Sequence, residues 1–112
     1  MGDSEESDFI KLFFEDMDRI LEDFKKKFPL LRAQEGQKEA LSDIHRYAHS
    51  IKGLSASVGF EKIRLIAQKL EGTLKKIIDK DTPIDERTLG EIENSFRNIE
   101  RLTKNEKQNS SR

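Results

Sequence analysis

The sequence predicts an all-α protein that folds as an antiparallel, up-down four-helix bundle in a single domain, residues 1–112. Apolar residues recur at three- and four-residue spacing in four segments, and no segment alternates as a β-strand does. The two prolines, Pro29 and Pro83, and also Gly59 fall between those segments, where they separate successive helices. With 112 residues, the chain is long enough to build one modest core.

The first predicted helix runs from about Asp8 to Lys27, after a terminus of residues 1–7 that we expect to be flexible. Pro29 ends the helical pattern, and residues 30–37 are predicted to be a connector. The apolar residues of this helix share one face and are expected in the core: Phe9, Leu12, Phe13, Met17, Ile20, Leu21, Phe24 and Phe28.

The second predicted helix extends from about Lys38 to Val58, and the third runs from about Phe60 to Ile78. Because only Gly59 separates them, these two helices are expected to form an antiparallel hairpin. Their core-facing residues are Leu41, Ile44, Ala48, Ile51, Ser55 and Val58 in the second helix, and Ile63, Ile66, Ala67, Leu70, Leu74, Ile77 and Ile78 in the third.

The fourth predicted helix follows a turn at residues 79–83. Thr82 is its expected N-cap, with Pro83 at the first helical position. Its apolar face consists of Ile84, Leu89, Ile92, Phe96, Ile99 and Leu102. Residues 105–112 contain no apolar side chain, so we expect them to fray into a flexible terminus.

The composition excludes several classes of function. The 21 Lys and Arg residues nearly balance the 22 Asp and Glu residues, so no strong field attracts the chain to nucleic acid or an anionic membrane. The absence of cysteine excludes disulfides and thiolate metal sites. No apolar run approaches the roughly 20 residues that span a bilayer, and there is no signal-peptide core. We therefore expect a cytoplasmic protein.

His49 is the candidate reactive residue. It lies in the segment Ala48-His49-Ser50-Ile51-Lys52-Gly53, roughly 130° around the helix from the centre of the apolar face, so its imidazole is expected in water. A neutral imidazole has one nitrogen free to act as a nucleophile. Lys52, one turn away on the same face, can contact phosphoryl oxygens. Gly53 costs the helix about 1 kcal/mol relative to alanine, but it leaves space for a partner's backbone.

The third helix offers a partner for His49. His49 lies ten residues before Gly59, and an antiparallel hairpin brings residues 68–71 to the same level. Glu71 can therefore accept the Nδ1 proton, which fixes the tautomer and leaves Nε2 as the nucleophile. Alternatively, Glu71 pairs with Lys75 at i,i+4 spacing. The polar row next to it is completed by Arg64 and Gln68.

These motifs resemble a known family, the histidine-containing phosphotransfer (HPt) domain. The resemblance is carried by the segment Ala48–Gly53, the Gly59-Phe60 turn and the Leu70-Glu71 pair. It is closest to the N-terminal phosphotransfer domain of the chemotaxis histidine kinase. The specific match spans about residues 41–75, and the four-helix pattern extends it over nearly the whole chain. One difference is Gln68, which stands near a position where the chemotaxis domain usually has a second histidine.

The resemblance implies a phosphotransfer domain of a two-component system or phosphorelay. His49 would carry the phosphoryl group on Nε2, with Lys52 assisting transfer and Glu71 orienting the ring. Gly53 would clear room for a response-regulator receiver domain, and the donor would be a histidine kinase catalytic domain or a hybrid-kinase receiver. Further candidate binding residues are Ser50, Ala56, Arg64 and Gln68.

Two other interpretations remain open at this point. The bundle could be a non-catalytic adaptor that docks partner helices. A zinc site could use His45 and His49, which have i,i+4 spacing, with Glu71 as a third ligand. Because no Glu follows His45 and the chain lacks cysteine, we expect no metal and no cofactor. The chain also has no P-loop and no Gly-rich ATP lid, so we expect a relay component or one domain of a larger kinase.

Overall fold

The computed structural model describes the backbone of residues 2–110 and the side chains of residues 8–110. Within this part of the chain it confirms an all-α, four-helix bundle, which measures 51 × 21 × 20 Å. The elements are α1 (Gly2–Lys27), a short 3₁₀ helix (Phe28–Arg32), α2 (Gln37–Val58), α3 (Glu61–Lys80) and α4 (Glu86–Ser110). None of these helices is both long enough and apolar enough to cross a membrane.

Gly59 forms the tight hairpin between α2 and α3 that the sequence predicted. Its φ of 78° lies in the left-handed region, which glycine adopts without steric cost. The Gly59 amide donates to the Ala56 carbonyl at 3.3 Å, and the Phe60 amide donates to the Ser55 carbonyl at 2.9 Å. This Schellman ending satisfies the last carbonyls of α2 and reverses the chain within two residues.

The start of α4 differs from the prediction. Its N-cap is Asp85, whose Oδ1 accepts the Thr88 amide hydrogen at 2.8 Å, and the predicted cap at Thr82 is wrong. The amide of Thr82 instead closes the end of α3 by donating to the Ile77 carbonyl at 3.2 Å. Pro83 also disfavours helical backbone angles at the residue before it. Hydrogen bonds from Thr88 hold the pKa of Asp85 below its usual value.

The first and last helices, α1 and α4, are longer than the apolar pattern indicates. α4 continues past Leu102 to Ser110, although we expected residues 105–110 to fray. Buried Thr103 extends the packed face, and Lys107 Nζ approaches Asp18 of α1 at 3.5 Å. α1 likewise begins at Gly2 rather than near Asp8. The structure does not describe the side chains of residues 1–7 or any part of residues 111–112. The prediction that these side chains and residues are flexible is therefore not tested.

The core lies along the bundle axis and contains most of the predicted apolar residues. The rings of Phe24 in α1 and Phe96 in α4 stack with centroids 3.6 Å apart. Three residues placed in the core by the prediction are exposed to solvent: Phe9 (68%), Leu12 (54%) and Ile78 (39%). Leu12 lies about 140° around α1 from fully buried Met17, so it cannot share the buried face. Phe14, which the prediction left out, is buried instead.

Candidate functional site

His49 and Glu71 meet across the seam between α2 and α3. The His49 side chain is 66% exposed, whereas that of Glu71 is only 15% exposed. Nδ1 of His49 and Oε2 of Glu71 are hydrogen-bonded, as the hairpin register led us to expect. Because an ionised carboxylate can only accept, Nδ1 carries a proton, and in the neutral imidazole the lone pair then lies on Nε2 of an exposed ring.

Lys52 donates a hydrogen bond to the other oxygen of the Glu71 carboxylate. Its Nζ donates to Oε1 of Glu71 at 2.6 Å, so the cation paired with Glu71 lies on α2 rather than at Lys75 of α3. Burial acts to raise the pKa of Glu71, but the hydrogen bonds from Lys52 and His49 outweigh it, and the pKa lies below its usual value. Glu71 is therefore ionised at neutral pH and acts as an acceptor on both sides.

Arg64 and Gln68 form a second polar group on α3. The Arg64 guanidinium donates to Oε2 of Glu61 through Nε at 3.0 Å and Nη2 at 2.7 Å. Its Nη1 donates to Oε1 of Gln68 at 2.7 Å. Among the described side chains, neither Arg64 nor Gln68 forms a hydrogen bond with His49. Within the predicted polar row, Arg64 and Gln68 therefore bind each other, whereas Glu71 binds residues of α2.

Small residues flank the imidazole on the exposed face of α2. Gly53 follows His49 by one helical turn, and Ala56 follows by two turns; both are exposed, whereas Ser50 is half-buried. Apart from the neighbouring backbone of α2 itself, a Cβ atom added at Gly53 would have no heavy atom of the described residues within 4 Å. Glycine is therefore not required there by packing within the domain, which leaves the space above it open to a partner.

His45 does not join the site. It is half-buried, and its Nε2 is enclosed without a hydrogen-bond partner among the described residues. Across residues 8–110, no three His, Asp or Glu side chains are grouped so that they could hold a metal ion. The geometry therefore does not support a zinc site built from His45, His49 and Glu71.

Phe9 and Leu12 form an exposed apolar pair that the sequence analysis assigned to the core. Phe9 lies five turns before Lys27 and thus shares its face of α1. Lys27 Nζ bonds to Asp43 of α2 at 3.2 Å, so this face of α1 is the one beside α2. The sequence does contain a signal for the exposure of Leu12. If Phe14 is counted in the apolar face of α1, the centre of that face moves away from Leu12.

The comparisons with known proteins identify one family. A family model described as the Hpt domain matches residues 8–102, which is most of the chain. The matched region includes His49, Lys52, Gly53 and Glu71. No solved structure matches the chain.

Proposed function

The chain belongs to the Hpt domain family and is thus a histidine phosphotransfer module of two-component signalling, and we propose that His49 is its phosphoacceptor. His49 receives a phosphoryl group in the cytoplasm and passes it to an aspartate of a response-regulator receiver domain. The observation that carries this proposal is the hydrogen bond from Nδ1 of His49 to Glu71 on an otherwise exposed ring. It fixes the tautomer in which Nε2 is nucleophilic.

The chemistry needs no proton to move within the site. The Nε2 lone pair attacks phosphorus, the Nε2–P bond forms, and the P–O bond to the donor breaks with its electrons on the donor oxygen. The proton on Nδ1 stays in its bond with Glu71, and the carboxylate stabilises the positive charge that the ring acquires. When a receiver aspartate attacks phosphorus, the Nε2–P bond breaks and His49 leaves as neutral imidazole.

The surface around His49 suits a protein partner. Gly53 and Ala56 leave room along α2, and the exposed pair Phe9 and Leu12 lies on the side of α1 next to α2. Exposed apolar side chains are typical of docking surfaces, and this pair lies towards the hairpin end of the bundle, because neighbouring Phe13 packs against Phe60. We propose that the receiver domain covers this apolar pair while its aspartate reaches the imidazole.

The test is phosphorylation of the purified domain by two candidate donors. One donor is a chemotaxis-type kinase catalytic domain with ATP, and the other is a hybrid-kinase receiver that carries a phosphoaspartate. We expect an acid-labile, base-stable phosphate that is absent from His49→Gln and retained in the control His45→Gln. Labelling of His49→Gln would overturn the assignment. A non-catalytic adaptor would bind its partner but take no label from either donor.

A further inference from the structure

Lys52 is engaged before any phosphoryl group reaches His49. Its Nζ donates to one oxygen of Glu71 at 2.6 Å, while the other oxygen of that carboxylate holds Nδ1 of His49. The side chains of Lys52 and Glu71 are 32% and 15% exposed, so this ion pair is less screened by water than a fully exposed pair. Glu71 therefore binds both the nucleophile and a cation one turn along α2 from it.

A phosphoryl group on Nε2 would offer Lys52 a second set of acceptors. Lys52 follows His49 by three residues, and its flexible stem lets the ammonium move to the phosphoryl oxygens. The two ring nitrogens point to opposite edges of the imidazole. A bond with Glu71 therefore holds the ammonium near the Nδ1 edge, away from the edge that carries the phosphoryl group.

We propose that Glu71 withholds Lys52 from the phosphoryl group, so that the group on His49 is weakly held and readily passed on. This inference rests on the proposed function, because it concerns a phosphoryl group on that residue. Glu71 is in this sense a positioning residue, which acts through both His49 and Lys52.

The charges in the site support this role for Glu71. Before phosphorylation, the charges of Lys52 and Glu71 cancel each other within their ion pair. The phosphoryl group carries about −1.5 to −2 at neutral pH, while the ring, which keeps its Nδ1 proton, gains a positive charge that faces Glu71. Arg64, in the neighbouring row, is already bound to Glu61 and Gln68.

The consequence concerns the free energy of the phosphorylated state. A phosphoryl group clamped by a free lysine would gain charge-assisted hydrogen bonds and fall in free energy. Tight binding of this intermediate would slow its onward transfer, because only interactions that strengthen in the transition state speed a reaction. Pairing Lys52 with Glu71 avoids that clamp.

The experiment loads the phosphoryl group without any protein partner. Phosphoramidate phosphorylates histidine as its N–P bond breaks, the Nε2–P bond forms and ammonia leaves. Wild type, Glu71→Gln, Lys52→Met and the double variant are compared, with Lys75→Met as a matched control from the same polar row. The phosphoryl pKa is followed by ³¹P NMR, and the rates of phosphoryl loss and of transfer to a receiver are measured.

We expect Lys52 to affect the phosphoryl pKa and the rate of phosphoryl loss mainly when Glu71 is absent. Glu71→Gln should lower the phosphoryl pKa and slow phosphoryl loss several-fold, and adding Lys52→Met should reverse both effects. In the wild-type background, Lys52→Met should leave the phosphoryl pKa nearly unchanged, as should Lys75→Met. Circular dichroism checks that each variant is folded.

Two results would overturn the inference. An equal effect of Lys52→Met in both backgrounds would mean that Lys52 already holds the phosphoryl group in the wild type. If phosphoryl loss is still slow in the double variant, Glu71 acts on that rate only through the proton on Nδ1 of His49. Either result leaves the proposed function standing, provided that His49→Gln takes no label from phosphoramidate or from the protein donors.

Discussion

At Gly53 we expect an added side chain to stabilise the domain and, if it is large, to slow transfer of the phosphoryl group to a receiver. It lies inside α2, its backbone has no positive φ, and an added Cβ would meet no atom within 4 Å. No described residue elsewhere in the domain therefore opposes a side chain there. Alanine is favoured over glycine in a helix interior by about 1 kcal/mol, so Gly53→Ala should raise the free energy of unfolding by about that amount. For a domain of this size the Tm should rise by about 4 °C.

A larger side chain at this position should keep most of that gain and impair phosphotransfer. Glutamine is also a better helix former than glycine, so Gly53→Gln should still stabilise the domain. Its side chain would stand one turn from His49, where we propose that a receiver approaches. A small displacement of reacting groups can cost up to about a hundredfold in rate, and we expect transfer to the receiver to fall at least tenfold. Phosphorylation by phosphoramidate, which needs no docking, should be unaffected.

The assay pairs thermal unfolding with phosphotransfer to one receiver. The control is Gly90→Gln in α4, where an added Cβ also meets nothing within 4 Å. It should give a similar rise in Tm without slowing transfer. A stabilised Gly53→Gln that transfers at the wild-type rate would refute the idea that this glycine clears space for a partner. A lower Tm in Gly53→Ala would show that the fold itself requires glycine there.

Three further predictions test the cap, the apolar pair and the buried carboxylate. Asp85→Ala should lower the free energy of unfolding in urea by about 1 kcal/mol, whereas Thr82→Ala should have little effect, and equal losses would contradict the assigned N-cap. Phe9→Ala should raise the KM for the receiver without loss of stability. Leu30→Ala, which truncates an exposed residue at the opposite end of the bundle, should leave that KM unchanged. The pKa of Glu71 is lowered in the folded state, so its ionised form contributes stability above the unfolded pKa and loses it as the pH falls through the folded pKa. The stability difference between wild type and Glu71→Gln should therefore be larger at pH 7 than at pH 3, and a constant difference would contradict this.

The helix boundaries that the sequence predicts well are those determined by backbone chemistry alone. Pro29 cannot continue α1 as a hydrogen-bonded helix, and Gly59 takes a left-handed φ that few other residues tolerate. The start of α4 is a different case, because Thr82 and Asp85 are both good N-cap residues. The choice between them depends on where α3 ends, and that ending uses the Thr82 amide to bind Ile77.

The exposed pair on α1 shows where an apolar pattern is ambiguous. A residue that packs in the core and a residue that awaits a partner are both apolar and recur at the same helical spacing. Leu12 lies too far around α1 from Met17 to be buried, but Phe9 differs from Phe13 in how the neighbouring helices cover it. Phe13 packs edge-on against Phe60 at 5.2 Å, at the hairpin end of the bundle, and Phe9 lies a further turn towards the start of α1. Coverage of this kind depends on the lengths and tilts of several helices, which one helix's pattern does not contain.

The site divides in the same way between what register determines and what side-chain packing determines. A tight turn at Gly59 relates residues of α2 and α3 by simple counting, and this was enough to place Glu71 opposite His49. Counting could not choose between Lys52 and Lys75 as the cation, because each lies within reach of that carboxylate. Once Glu71 extends across the seam to His49, its second oxygen also lies beside α2, and there it meets Lys52 at 2.6 Å. The hydrogen bond to His49 thus places the Glu71 carboxylate beside Lys52 rather than Lys75. The negative charge of Glu71 is therefore balanced by a cation of α2.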